Sequence, residues 1–228
     1  MNKLPWIDAL RGLAIFSVLI YHTSQHLEGL PFLLKAVSSQ GARGVQLFYL
    51  VSAFTLFLSL DNRKKSERHP LINFFIRRFF RIAPLFYCAI AFYVWKTGIG
   101  PNYWLEDGHS LTIPNLIAHL TFTNGWHPYW INSILPVGWS IAIEMPFYLI
   151  VPYLFKNIKS LDKAVWLTFA TLLISKIIFI ILYSNHFILE KLGETFLFYW
   201  LPNQLPFFFY GDYSLFSDTQ YSYQAGTV

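Results

Sequence analysis

Arg11 and His22 stand eleven residues apart in the apolar stretch that runs from Asp8 to His26. On a helix that spacing brings the two side chains within about 20° of one face and about 16 Å apart along the axis. If the stretch crosses a bilayer, a guanidinium sits near one water interface and an imidazole sits deep on the same stripe. Ionisable groups in that setting are expensive and mark function by default. Imidazole titrates near neutral pH, which suits His22 to act as a general base. The plainer reading is that Arg11 snorkels to lipid headgroups and His22 makes an interhelical hydrogen bond.

Three further groups carry chemistry. Arg77, Arg78 and Arg81 form a basic cluster beside an apolar run, and Arg78 and Arg81 are neighbours on one helix face. Such a cluster binds phosphate through paired N–H donors or simply anchors a span on the cytoplasmic side. Glu144 lies in Trp139-Ser-Ile-Ala-Ile-Glu144-Met-Pro-Phe-Tyr148 and enters the membrane from the outer side, where it would orient an imidazole or bind a hydroxyl. Pro146 is expected to interrupt the helix directly after it. Lys176 is a lone charge in an apolar run, with no partner that the sequence names. His109, His119 and His127 match no metal-ligand spacing, and no metal is expected. Ser52 reads as packing glue rather than a nucleophile. No glycine-rich phosphate loop or nucleophile elbow occurs.

The elements that must position these residues are apolar helices. The 228 residues are 55% hydrophobic and only 13% charged, about half the charge of an ordinary soluble domain. The deficit is spread over several long runs, so an all-α, polytopic membrane bundle is expected. About six spans are read, near residues 10–30, 45–60, 79–95, 138–155, 165–183 and 196–210. Residues 96–137 form a long segment with a short interfacial helix near 111–122. Arg63, Lys64, Lys65, Arg68 and the arginine cluster fix the loop between spans two and three as cytoplasmic, which puts the N-terminus inside. The formal charge of +5 then reads as topology, not nucleic-acid binding. Residues 1–211 are expected to be the membrane domain, and residues 212–228 a disordered or aberrant tail.

Several of these segments resemble, in order, the motifs of the acyltransferase 3 family, multi-span enzymes that O-acylate sugars and related acceptors. Asp8-Ala-Leu-Arg11-Gly-Leu-Ala-Ile, ending in His22, is similar to the family's first-span signature. Gly44-Val-Gln-Leu-Phe-Tyr-Leu-Val-Ser52-Ala-Phe resembles the second, with Gln46 and Ala53 where the family usually has Asp and Gly. Phe75-Ile-Arg77-Arg78-Phe-Phe-Arg81-Ile-Ala-Pro84 resembles its basic motif. Gly138-Trp-Ser-Ile-Ala-Ile-Glu144 with Phe147-Tyr148 resembles its Trp-Ser…Glu…Phe-Tyr motif, in which Pro146 is unusual. Leu201-Pro202, Leu205-Pro206-Phe and Gly211 fit a later pattern.

The resemblance implies transfer of an acyl group, typically acetyl, from cytoplasmic acyl-CoA as donor substrate, with no resident cofactor. The acceptor would be a hydroxyl of a cell-surface or lipid-linked glycan or of a small molecule, and the place the inner membrane. Arg11, Arg78 and Arg81 would face the donor, and His22 and Glu144 would be catalytic. The family has about ten spans, so the chain reads as its N-terminal portion. Two other readings are an inactive truncated remnant and a proton-coupled transporter that uses Arg11, His22 and Glu144 as a relay.

Overall fold

In a computed structural model of the chain, the described residues are 5–64, 66–100, 110–158, 160–184 and 190–210, the side chains of 190–192 and 194 excepted. They are all-helical. In order come α1 (Pro5–Ser24), α2 (Phe32–Ser39), α3 (Gly44–Arg63), α4 (Pro70–Thr97), α5 (Ile113–Leu120), α6 (Trp139–Asn157), α7 (Leu161–Ser184), α8 (Glu190–Tyr199) and α9 (201–210). By length and composition, the near-continuous helical run Phe32–Arg63 and helix α7 are each long and apolar enough to cross a membrane.

The chain divides into two compact units. The first holds Met1–Asn62, Ile158–Thr168 and Pro206–Val228, and the second holds Arg63–Asn157 and Phe169–Leu205. In the first, one turn of 3-10 helix (Gln40–Arg43) joins α2 to α3. Gly41 and Gly44 bracket it and lie against the backbone of α1. A Cβ on Gly44 would sit 2.5 Å from the Ala14 carbonyl oxygen, and one on Gly41 would overlap the Ser17 carbonyl. Glycines three residues apart let two helical backbones touch, and Ala14 is completely buried as a result. Below this contact Ile7, Val51 and Phe54 form a small apolar core.

The second unit is built on α4 and α6. Helix α4 begins with Pro70 in its first turn and ends at Gly98, whose φ of 74° suits glycine. The arginine cluster thus lies inside the helix rather than ahead of it. The core gathers Ala83, Phe86 and Ile90 of α4 with Phe122, Ile134 and Leu135. Phe122 stacks on Phe86 at 5.1 Å and on Tyr87 at 5.7 Å. Its φ of 59° is a conformation that its packing must hold. Tyr87 donates from its hydroxyl to the Leu120 carbonyl at 2.8 Å and ties α5 to α4.

Three expectations are corrected here. Helix α6 runs unbroken through Pro146 and Pro152. Proline 146 supplies no N–H to the Ala142 carbonyl. That carbonyl faces Gly125, where a Cβ would come within 3.0 Å of its oxygen, so only a residue without a side chain fits beside it. The second correction is at residues 196–210, expected as one span. They divide between α8 and α9 at Trp200, with Pro202 in the first turn of α9. The third is α2, an extra short helix after the Pro31 exit. The expected tail at 212–228 lies outside the described residues.

The glycine contact makes a prediction. Gly44→Val should lower the stability of the detergent-solubilised chain by about 1–3 kcal/mol through overpacking. Gly12→Ala, with nothing within 4 Å, should be neutral or slightly stabilising. Thermal unfolding followed by circular dichroism compares the two.

Candidate functional site

In the first unit α1 is continuous over both Arg11 and His22, so the helical geometry that puts them on one face holds. Arg11 does not extend to solvent. Its Nη2 donates to Thr55 Oγ1 on α3 at 2.6 Å, and its Nη1 lies 3.7 Å from Asp8 one turn earlier. Thr55 is itself held by its own helix, its Oγ1 being 2.9 Å from the Ser52 carbonyl and 3.1 Å from that of Val51. The guanidinium is therefore fixed by an interhelical hydrogen bond, which is strong for a charged donor away from water. His22 is half-buried and meets the Tyr21 ring edge-on at 5.1 Å. Ser52 is buried, as is Gln46, whose Oε1 has no hydrogen-bond partner among the described residues.

In the second unit the sequence-predicted residues converge on a tyrosine. Glu144 on α6 is 7% exposed. Tyr148, one turn further along, donates its hydroxyl to Glu144 Oε1 at 2.5 Å. The Arg78 guanidinium of α4 lies 5.9 Å from the Tyr148 ring centroid and 5.8 Å from that of Phe74. The two rings meet edge to face at 6.4 Å. A guanidinium close to two aromatic rings is held by cation–π attraction. Topology from sequence had put Glu144 and the arginine cluster towards opposite faces of the membrane. The structure joins Glu144 and Arg78 through Tyr148, because α6 stays helical past Pro146 and the Arg78 side chain is long.

The three arginines are not equivalent. Arg77 Nη1 pairs with Glu67 at 2.9 Å and 3.1 Å, and Glu67 also receives Arg63 at 3.1 Å and Asn73 at 3.0 Å. The Asn73 amide, followed by the two guanidiniums, holds the Glu67 carboxyl below its ordinary range. Arg81 is exposed on α4.

Residues 110–138, ahead of α6, are held by several buried polar contacts. Buried Asn132 accepts from the Trp139 backbone N–H through Oδ1 at 3.2 Å and so caps the start of α6. Ser133 donates to Asn115 Oδ1 at 2.9 Å, and Asn124 donates to the Ile131 carbonyl at 3.3 Å. His119 is fully buried, and its Nδ1 is 3.0 Å from the Asn115 carbonyl. A carbonyl only accepts, so Nδ1 carries the proton. Burial pushes the His119 pKa down to about 4, so the ring is neutral at physiological pH. His127 stacks on Trp130 at 4.0 Å, accepts from the Tyr129 N–H, and is also lowered by burial. These two histidines serve the scaffold of α6. His109 lies outside the described residues.

The sequence profile of Acyl_transf_3, described as an acyltransferase domain, matches residues 4–213. The chain belongs to the acyltransferase 3 family. Over 163 residues it is 29% identical to the peptidoglycan O-acetyltransferase of Listeria monocytogenes, a match covering 65% of this chain and 23% of that protein. A Staphylococcus aureus protein named as an O-acetyltransferase is 26% identical over 166 residues, covering 67% of this chain and 24% of the relative. A Komagataeibacter xylinus protein named as a membrane-bound transacylase is 26% identical over 162 residues, covering 66% and 36%. These matches span about a quarter to a third of each relative. No solved structure matches the chain.

Tyr148 is the residue that sequence reasoning did not single out. Its signal was its place four residues after Glu144, one helical turn away on the same face. The His119 environment makes a prediction about pH. The folded pKa of about 4 lies below the ordinary imidazole value, so the folded state resists protonation. Stability is unaffected above about pH 6.5 and falls as pH drops towards 4, by roughly 3 kcal/mol in total. His119→Gln should flatten that part of the pH–stability curve, measured by denaturant unfolding in detergent between pH 7 and pH 4.

Proposed function

We propose that this chain is the membrane acyl-transfer part of an O-acyltransferase, using acyl-CoA as donor and a glycan hydroxyl as acceptor. The observation that carries this reading is the join at Tyr148 between a buried carboxylate and an arginine held on aromatic rings, within a family of acyltransferases. The names of the relatives, O-acetyltransferase and transacylase, support acetyl as the group transferred and cell-wall or surface saccharide as the acceptor class.

The proposed chemistry assigns each residue a task. Arg81 is exposed, and Arg78 is held against Phe74 and Tyr148. Both present N–H donors suited to the phosphates of acyl-CoA. Arg11, bound to Thr55, contributes positive charge on α1. His22 takes the proton of the acceptor hydroxyl as its oxygen attacks the thioester carbonyl. The C–S bond then breaks, and the proton passes to the departing thiolate. If the acyl group goes first to His22, a nitrogen–acyl bond forms and the same hydroxyl later breaks it. Glu144, held by Tyr148, orients the acceptor hydroxyl. The orientation proposed has about six spans in the inner membrane, with the loop carrying Arg63, Lys64, Arg68 and Glu67 on the cytoplasmic side.

Three substitutions test this reading in membranes supplied with radiolabelled acetyl-CoA, with mass spectrometry of the surface glycans reporting the ester formed. His22→Ala should reduce acyl transfer by about 10²–10⁴-fold without loss of membrane insertion. Arg81→Ala should weaken donor affinity about tenfold, equivalent to roughly 1.4 kcal/mol, with little change at saturating donor. Tyr148→Phe removes the hydroxyl held by Glu144 and should lower the rate at saturating donor, leaving donor affinity near wild type. Wild-type ester levels in the His22→Ala strain would refute the assignment of His22, and no gene-dependent ester on any glycan would refute the function.

A further inference from the structure

Residues 121–130, which follow α5, read Thr-Phe-Thr-Asn-Gly-Trp-His-Pro-Tyr-Trp. They hold four aromatic side chains and a histidine, with no Asp, Glu, Lys or Arg and no Ala, Val, Leu, Ile or Met. Their backbone is anchored. Asn124 is completely buried and donates to the Ile131 carbonyl at 3.3 Å, and Gly125 packs against Ala142 of α6. Trp126 follows directly, with its N–H on the Thr123 carbonyl at 3.1 Å, yet it is 53% exposed. An anchored turn that presents an indole to its surroundings leaves a large apolar area uncovered, at a cost that a ligand would relieve.

The neighbours of Trp126 are polar or aromatic. His127 stacks on Trp130 at 4.0 Å with the rings 17° from parallel. Its Nδ1 accepts from the Tyr129 N–H, so in the neutral ring Nε2 carries the proton and is a donor. Thr121 and Thr123 are both exposed, with their hydroxyls 2.9 Å apart. Helix α5 offers the contrast. Its Ile113, Ile117 and Leu120 recur at helical spacing and are 75%, 54% and 43% exposed, an aliphatic stripe suited to lipid tails. After Leu120 the exposed surface changes to rings interleaved with hydroxyl and imidazole groups. Acyl chains gain nothing from such donors and acceptors, and the lack of charge favours a neutral ligand. A sugar matches both features. The C–H bonds on one face of a pyranose are weakly positive and pack on the negative face of an aromatic ring. The hydroxyls around its rim pair with neutral donors and acceptors.

We propose that residues 121–130 form a saccharide platform, with a pyranose of the acceptor glycan stacked on Trp126 and its hydroxyls served by Thr123 and His127. Glu144 lies two residues beyond Ala142, about 3 Å further along α6 and on the far side of that helix. The platform therefore holds a sugar other than the one that reacts, which suits an oligomeric acceptor rather than a free monosaccharide. The inference rests on the glycan acceptor proposed above.

The test uses the full chain in lipid nanodiscs, labelled with fluorotryptophan, with the Trp126 and Trp166 fluorine resonances assigned from Trp126→Phe and Trp166→Phe. Chitotetraose, cellotetraose and maltotetraose are the probes. At least one should shift the Trp126 resonance saturably, while that of Trp166, which is 75% exposed on α7, stays in place. Trp126→Ala should weaken binding of the same tetrasaccharide about tenfold in equilibrium dialysis, and Trp126→Phe, which keeps a ring, by less. A phospholipid with a spin label on its acyl chain should broaden Trp166 and spare Trp126. No shift with any tetrasaccharide, binding indifferent to Trp126→Ala, or equal broadening of Trp126 and Trp166 would overturn the platform, and ester formation on surface glycans would then still uphold acyl transfer. Saturable Trp126 shifts in a chain that forms no ester on any glycan would uphold the platform and refute acyl transfer instead.

Discussion

The backbone of α1 rests directly on Gly41 and Gly44, and this contact shows what holds a protein of this composition together. Between apolar helices in a bilayer, burial of apolar surface provides no drive, since lipid tails are as apolar as leucine. Cohesion must come from close backbone approach and from polar groups that have nowhere else to go. The first unit supplies both, with the glycine pair against Ala14 and Ser17 and the Arg11–Thr55 bond one to two turns away. The second unit repeats the logic with Gly125 against Ala142 and Tyr148 against Glu144. In each, a small residue sets the distance; the polar bond joins two helices in the first unit and lies within α6 in the second.

That economy ties the functional side chains to the scaffold. Arg11 is at once a candidate donor contact and the hydrogen bond that fixes α1 to α3. Glu144 lies one turn before a tyrosine whose ring receives Arg78, on a helix that stays continuous through Pro146. Asn132 caps the first turn of the same helix, so the depth and direction of Glu144 are set from both sides. Side chains held this way are positioned by the scaffold itself, as the proposed roles require.

The apolar runs made most of the helices legible, because length and low charge identify a buried or membrane helix with little help from tertiary context. The positions of α1, α3, α4, α6 and α7 follow from them, as does the short helix led by Pro114. What was hidden depends on partners far away in sequence. Pro146 reads as a helix breaker until Gly125 is known to lie on the Ala142 carbonyl. Arg77, Arg78 and Arg81 read as one basic patch until Glu67 claims the first and two rings the second. Glu144 was visible as a charge in an apolar run. Tyr148 was visible only as part of a motif, and its hydrogen bond to Glu144 gives it a role. His119 and His127 stood out in the sequence only as histidines without a metal spacing, and their burial depends on Asn115 and Trp130, which no local pattern announces.

The fate of the arginine cluster narrows what it can do. Arg77 is committed to a carboxylate outside the apolar runs, and its charge is largely cancelled locally. Arg78 is half-buried on Phe74 and Tyr148, a setting in which lysine would be a poor substitute, because a compact ammonium lacks the planar surface that stacks on a ring. Arg81 retains its exposure. A helix that wanted only a positive end for orientation would gain nothing from burying one of these groups against aromatic residues. The cost is side-chain freedom and part of the hydration of a cation, and the return is an arginine held against the same tyrosine that donates to Glu144, a link that topology alone does not require.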